Sequence, residues 1–421
     1  MIKYYIIMAR YITNIHVNKL FHLSDFDIPV TDDNAPHLIL TGKNGSGKTI
    51  TLNAIADFLD NVKGKNSLDF LKYKELFEHY KNEMSRYKNN SAEYMQTKSN
   101  AEYYQAQVEN LFGKVDMSFA DGYGFINDYK EGNFLIAFYQ AARKTEIIEP
   151  KNPTKPQIQE KTEARMLMTN QLLNFLSDLK IQEALARNEQ QNADADKIKD
   201  WFESFENVLK GFFEDKDLKL RFNYRDYTFH IETQGKSFKF TELSDGFSAI
   251  IDIIADLILK MQKQDTLVMD YLKPGIVLID EIETHLHLQL QKIVLPLLTK
   301  LFPNIQFIVT THSPFVLNSL PNATAFDMEH QEPISNLTEY SYQALTEGYF
   351  GVSSDSDYAR QRFEELKTLL KKTELSNTER VEAKQILEDY RKIPEATAPE
   401  LVGAYRQLEI EYSEKIKAIE A

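Results

Sequence analysis

The chain contains no cysteine. Disulfides, zinc–cysteine sites and thiol catalysis are therefore excluded, and nothing in the chain argues for an oxidising compartment. No stretch approaches the roughly 20 consecutive apolar residues that a membrane span needs, so no membrane partner is expected. The opening residues Met1 to Met8 are apolar but too short for a signal-peptide core with a cleavage site, and a cytoplasmic protein is expected. Positive charge is in deficit, with a formal net charge of −14. That argues against a surface given over wholly to nucleic acid, while leaving room for a local basic groove. Trp201 is the only tryptophan. What remains is ordinary globular material: 421 residues, 43% of them hydrophobic, enough for roughly two to three domains.

The most informative stretch is Gly42-Lys43-Asn44-Gly45-Ser46-Gly47-Lys48-Thr49, which fits the pattern G-x-x-x-x-G-K-[ST]. The apolar run His37-Leu38-Ile39-Leu40 reads as the strand that feeds it, and Ile50 to Phe58 as the helix that leaves it. That strand–loop–helix context is what the motif requires. Glycines let backbone N–H groups approach phosphate oxygens without an intervening Cβ. The helix that follows points its positive end at the same anion. Lys48 is then placed for the β- and γ-phosphates of ATP, and the Thr49 hydroxyl for Mg²⁺.

A second set of residues lies far along the chain. Gly275 to Ile279 reads as a buried-type strand ending in Asp280 and Glu281. A pair of acids at such a tip is costly unless something uses it. With a P-loop upstream, Asp280 suits the holding of Mg²⁺ and Glu281 the role of general base toward the attacking water. A further strand, Ile305 to Thr311, ends in His312-Ser313-Pro314, and a histidine there can donate to a phosphate oxygen or to the water. Ser244 and Gly246 open a strongly apolar helix, another anion-binding helix start, although Ser-Asp-Gly is also a common turn.

Between these motifs, residues 11–30 read as a strand pair whose turn carries Phe21 and His22, either of which could stack on an adenine. Tyr73, Phe77, Tyr80, Met84 and Tyr87 follow a 4-3-4-3 spacing, broken at Asn89-Asn90-Ser91, and a second apolar set runs from Tyr94 to Leu111. These are two helices, either a short coiled-coil hairpin or an amphipathic pair lying on the domain. Val115 to Phe119 and Asn133 to Tyr139 read as strands, the latter ending at Gln140. Residues 151–159 read as a linker, about 160–213 as helical, and Leu218 to Phe240 as antiparallel strands.

The order of motifs resembles the ABC-type ATPase heads of the SMC, RecF and OLD group. The string Asp280-Glu281-Ile282-Glu283-Thr284-His285-Leu286-His287 looks especially like the OLD/RecF-like branch. The likeness covers residues from about 12 to 330. It implies an α/β fold: a P-loop NTPase with an ABC-ATPase head, a mixed core sheet plus an antiparallel β subdomain, helical insertions and a helical C-terminal tail. It also implies that Gln140 is the Q-loop residue near Mg²⁺ and water. Ser244 and Gly246 would belong to the signature that meets the γ-phosphate bound by a second copy, making a homo-oligomer with composite ATP sites. Glu283 to His285 would form the D-loop at that interface, a reading preferred over a metal site because the His-x-His spacing lacks H-E-x-x-H geometry. The chain departs from the group in Asp245-Gly246-Phe247, in Phe21 where relatives often carry arginine, and in a hairpin far shorter than an SMC arm.

The expected organisation is an ATPase lobe with the P-loop (1–62), a helical hairpin (63–113), strands with Gln140 (114–150), a helical lobe (151–215), the signature, acidic pair and His312 (216–335), and a helical C-terminal region (336–421). Ser376 to Glu379 fits a capping box. OLD-type nucleases carry a further metal-dependent nuclease domain; Asp355-Ser356-Asp357 lacks the preceding strand this requires, and Ser354 or Asp355 reads as a helix cap. The whole is similar to stand-alone ATPase subunits of bacterial antiphage systems such as the Septu, retron-associated and PARIS ATPases. The resemblance implies an Mg²⁺-dependent ATPase that dimerises on ATP and regulates a separate effector, a nuclease or toxin. The competing expectations are a DNA-clamping repair or recombination ATPase, with DNA as partner, and a slow-hydrolysing scaffold that sequesters a toxin.

Overall fold

A strand with both faces covered needs apolar residues throughout rather than in alternation. In the computed structural model that pattern builds the centre of the first unit. The structure describes residues 10–30, 37–63, 67–141, 147–150, 164–165, 167–262, 272–334, 340–342, 344–346, 357–393 and 398–420. The expected linker at 151–159, the opening apolar residues and the segment around Asp355 lie outside them.

The strands are β1 (Ile12–Leu20), β2 (Leu23–Pro29), β3 (His37–Thr41), β4 (Val115–Phe119), β5 (Leu135–Tyr139), β6 (Lys219–Asn223), β7 (Thr228–Thr233), β8 (Lys236–Lys239), β9 (Gly275–Ile279), β10 (Ile305–Thr310), β11 (Ala323–Asp327) and β12 (Glu332–Ile334). The core sheet runs in the order β12-β11-β3-β10-β9-β5. Its strands are parallel except β12, which pairs antiparallel with β11. Strands β3, β5, β9 and β10 are buried at every position. Parallel neighbours need crossovers, and α1 (Lys48–Lys63), α7 (Asp245–Met261), α8 (Leu288–Leu301) and the short α9 (Pro314–Leu317) lie among them. The consequence for function is directional. Thr41, Tyr139, Ile279, Thr310 and Asp327 all stand at the C-terminal ends of parallel strands, the edge where open α/β sheets bind ligands.

A second sheet, β2-β1-β4, is antiparallel. It is tied to the core sheet by Gln306, whose side chain accepts from Ile12 N–H at 2.8 Å and donates to Ile12 O at 2.9 Å. The helical hairpin is α2 (Ser67–Met84) and α3 (Ala92–Phe112), the latter capped by Ser91, whose hydroxyl accepts from Tyr94 N–H. Tyr80 and Tyr104 stack between the arms at 5.6 Å. Of the two alternatives the sequence left open, the structure combines parts. One end of the hairpin rests on the domain through Leu71, Val108 and the Lys74–Asp116 bond, while Tyr87, Met95 and Tyr103 are exposed.

After α4 (Phe125–Lys130), the helices α5 (Leu172–Asn188) and α6 (Asn192–Phe212) share an aromatic core with the antiparallel sheet β6-β7-β8. Trp201 is 2% exposed and stacks on Phe205 at 5.2 Å. Helix α7 is buried almost all round. Within it Asp256 and Lys260 form an ion pair of 2.7 Å with both side chains fully buried. Asp256 also accepts from the Tyr139 hydroxyl at 2.7 Å and from Met168 N–H at 2.5 Å.

The chain divides into two compact units, Met1–Tyr342 and Gln343–Ala421. The second is helical: α10 (Asp357–Lys371), α11 (Asn377–Arg391), α12 (Pro399–Glu411) and α13 (Ser413–Glu420) close on Leu366, Leu370, Ile386, Leu387 and Tyr405. The expected capping box at Ser376 and Glu379 is formed. Among the described residues, no helix is long and apolar enough to cross a membrane.

Candidate functional site

The loop between β3 and α1 turns through Gly42, Gly45 and Gly47, whose φ values are 129°, 83° and 98°. At Gly47 the requirement is double, because a Cβ there would also meet Leu23 Cδ1 at 2.4 Å. Leu23 opens β2, so the turn carrying Phe21 and His22 sits beside the loop. Phe21 is 81% exposed, a body of apolar surface with no packing role.

Lys48 is 5% exposed. Its amine donates to the carbonyls of Gly42 at 2.8 Å and Lys43 at 3.0 Å. Burial pulls its pKa down to about 8, against the opposing fields of Glu283, Glu281 and Asp280. Lys43 turns the other way and pairs with Glu329 at 2.8 Å. Asn44 and Gly45 are exposed at the loop tip. Among the described residues Ser46 Oγ is buried with no hydrogen-bond partner.

Asp280, just past β9, is 4% exposed. One of its oxygens accepts from the Thr49 hydroxyl at 3.0 Å and from the Thr310 hydroxyl at 2.7 Å. The same Thr310 hydroxyl accepts from Glu281 N–H at 2.7 Å. Glu281 itself holds φ 45°, a left-handed conformation that a non-glycine residue seldom adopts. Strain of this kind, on the order of 1–3 kcal/mol, persists where surroundings over-determine it, and here the Thr310 bond does so. Gln140 follows β5 directly and is exposed; Asp280 N–H donates to the carbonyl of its neighbour Tyr139 at 2.8 Å. His312 follows the end of β10 and is half-buried. Burial, and then the charge on Lys48, lowers its pKa against the opposing fields of Glu281 and Asp280, which favours the neutral imidazole.

The structure thus brings Lys48, Thr49, Asp280, Glu281, His312 and the neighbourhood of Gln140 to one edge of the core sheet. Ser244 and Gly246 are held differently. Ser244 is exposed at the start of α7 and its side chain makes no capping bond. Gly246 is pressed against the chain after Asp280, where a Cβ would meet His285 O at 2.7 Å. Among the described residues no hydrogen bond or ion pair links Ser244 to the phosphate loop or to Asp280. Of the expected interface segment, His285 and His287 are exposed, but Glu283 turns inward toward Thr311 and His312. No cluster suited to a metal ion by itself occurs among the described residues.

Sequence reasoning missed Thr310, because its role exists only through the β9–β10 register. It also missed Asp327, at the end of β11, although an acid ending an apolar strand is the signal that exposed Asp280. Asp327 accepts from Glu329 N–H at 2.8 Å and pairs with His330 at 2.7 Å, lying against Gly42.

A parallel core sheet with the phosphate loop, acidic pair and histidine at its C-terminal edge, joined by the antiparallel sheet β2-β1-β4 and by a second antiparallel sheet inserted between β5 and β9, defines a P-loop nucleotide-binding fold whose motif order resembles that of ABC-type ATPase heads. Residues 140–318 match the AAA_21 family, described as AAA domain, putative AbiEii toxin, Type IV TA system. The chain is similar to the Retron Ec83 probable ATPase of Escherichia coli, 41% identical over 91 residues, which are 21% of this chain and 17% of that one. It is also similar to the Septu protein PtuA of Bacillus mycoides (strain KBAB4), 29% identical over 167 residues, 37% of this chain and 23% of that one. The matches therefore span less than a quarter of the length of these relatives. Against the solved Smc head bound to the C-winged helix domain of ScpA, the TM-score is 0.36 at 14% identity, over 78% of this chain and 100% of that one.

Proposed function

We propose that the protein is an ATP-driven dimerising switch that holds or releases a separate protein effector, a nuclease or toxin, in an antiphage defence system. One observation carries this reading. Lys48, Thr49, Asp280, Glu281 and His312 share a sheet edge, whereas Ser244 stands exposed on another helix with its hydroxyl making no cap. In a twofold dimer each such helix start would complete the site of its partner. The names of the retron and Septu relatives support the defence setting, and the helical unit from residue 357 onward is the surface we assign to the effector.

The residues present suit ATP with Mg²⁺. The unpartnered Ser46 Oγ and the left-handed glycines leave donors and space for phosphate oxygens. The Thr49 hydroxyl and Asp280 carboxylate are hard oxygen donors already 3.0 Å apart, the type of set Mg²⁺ prefers. When bound, the ion would neutralise charge on the β- and γ-phosphates. The chain's own residues would do the rest. Lys48 would leave the loop carbonyls for the phosphates. Glu281 would take the proton of the attacking water. Gln140 would orient that water and share in holding the ion, and neutral His312 would donate to it or to the γ-phosphate.

A mixing experiment tests the composite site. Lys48→Met and Ser244→Arg should each abolish turnover alone. Mixed in equal amounts they should recover about a quarter of wild-type ATPase, because half the dimers are mixed and each has one intact site. No recovery would show that each copy works alone.

A further inference from the structure

We propose that Glu283 is a positioning residue for His312, fixing the histidine against the γ-phosphate side of the site through its hold on the His312 N–H and the Thr311 hydroxyl. The inference rests on the reading of His312 given above and extends it to a residue that reading does not use.

The geometry is specific. Past β9, the chain carrying Glu281 to Glu283 runs alongside the end of β10. Ile282 N–H donates to Thr310 O at 3.2 Å, and Glu281 N–H to the Thr310 hydroxyl at 2.7 Å. Glu283 then reaches across with both oxygens. Oε1 accepts from His312 N–H at 2.5 Å, and Oε2 accepts from the Thr311 hydroxyl at 2.8 Å. Thr311 Oγ1 in turn accepts from Ser313 N–H at 3.0 Å. One carboxylate therefore fixes two successive residues directly, and Ser313 through Thr311, at the place where β10 stops and His312 begins. Charge-assisted bonds of this type are short and directional, which is what holding a side chain to a fraction of an ångström requires.

The position is also costly. Glu283 is mostly buried, and burial pushes its pKa up, as does the nearby Glu281, while the bonds from His312 and Thr311 pull it down. A strand end needs no carboxylate to be capped; a neutral Gln or Ser would serve. Placing an acid here, two residues after Glu281, ties the backbone of the general base to the backbone of the histidine.

The test is a double-mutant cycle on the full chain. kcat and KM for ATP with Mg²⁺ are measured for wild type, Glu283→Ala, His312→Ala and the double variant, with Glu283→Gln as the conservative change. Trp201 emission and thermal melting report folding. Glu283→Ala should lower kcat about 10- to 100-fold with KM within about threefold. Adding it to His312→Ala should cost nothing more, and Glu283→Gln should retain most of the rate because its carbonyl oxygen still accepts from His312 N–H. Should Glu283→Ala fail to fold, Thr311→Val, which removes one of the two bonds to the carboxylate, carries the same cycle with a smaller loss that should likewise vanish in the His312→Ala background. Losses that multiply in the double variant, or an unchanged kcat in Glu283→Ala, overturn the proposal while leaving His312 in its role. An unchanged kcat in His312→Ala removes the parent reading instead.

Discussion

A Cβ on Gly246 would lie 2.7 Å from the carbonyl oxygen of His285. The start of α7 is thus pressed onto the chain that leaves Asp280 and Glu281, closer than any side chain allows. Helix α7 is fastened to the sheet again at Asp256, through the Tyr139 hydroxyl. The helix that carries the exposed Ser244 is therefore held at both places to the strands and turn that carry the acidic pair of its own chain.

That contact makes Gly246→Ala informative. The added methyl should cost about 1–3 kcal/mol of stability and tilt the helix start. ATP binding by a single copy should stay within about threefold, because the phosphate loop is untouched, while turnover should fall at least tenfold. Nucleotide titration beside steady-state ATPase rates checks this. Equal losses in both would mean that Gly246 serves the fold alone.

Lys48 sets a pH limit. Burial brings its amine down to about 8, so the free protein carries the charge below that pH and loses it above. Phosphate binding favours the charged form, so ATP binding above that pH must take up a proton. The Kd for ATP should be level from pH 6.5 to 7.5, then rise toward tenfold per unit above about 8. Calorimetry across that range, with Lys48→Met as a control that should show no such rise, checks it. A level Kd to pH 9.5 would mean that the amine is not buried in solution.

These features were legible in unequal measure. The phosphate loop, the Asp280-Glu281 pair and the alternating strands of β6 to β8 are local patterns, and local patterns survive without knowledge of neighbours. The break at Asn89 to Ser91 likewise marked the hairpin turn. Strand β11 mixes alanine and threonine with one phenylalanine, too faint a period to stand out, although it lies next to β3. Asp256 and Lys260 look like any surface i,i+4 pair; only the packing of α7 on every side makes them a buried one. Glu283 had the right residue type but its direction could not be read, since the turn after β9 decides whether it faces a partner or its own histidine.

A second pH effect concerns folding. His37, at the start of β3, is 4% exposed and accepts a hydrogen bond from Phe307 N–H at 3.2 Å. Burial brings its pKa down to about 4. Because that lies below the ordinary value of about 6.5, the unfolded chain gains a proton before the folded one. Stability should therefore fall as pH drops from about 6.5 to 4, by about 3 kcal/mol from this residue. His37→Asn keeps an acceptor without the titration, and denaturant melts of the two proteins should differ in slope over that window. Parallel slopes would show that His37 does not reside in the interior.

The central claim is that one copy cannot complete its own ATP site. Glu281→Gln should bind ATP without turning it over, leaving the closed assembly to accumulate. Light scattering on the purified variant with ATP and Mg²⁺ should give twice the mass of the chain, and the single mass without nucleotide. A single mass in both conditions, with ATP shown to be bound, would contradict the account.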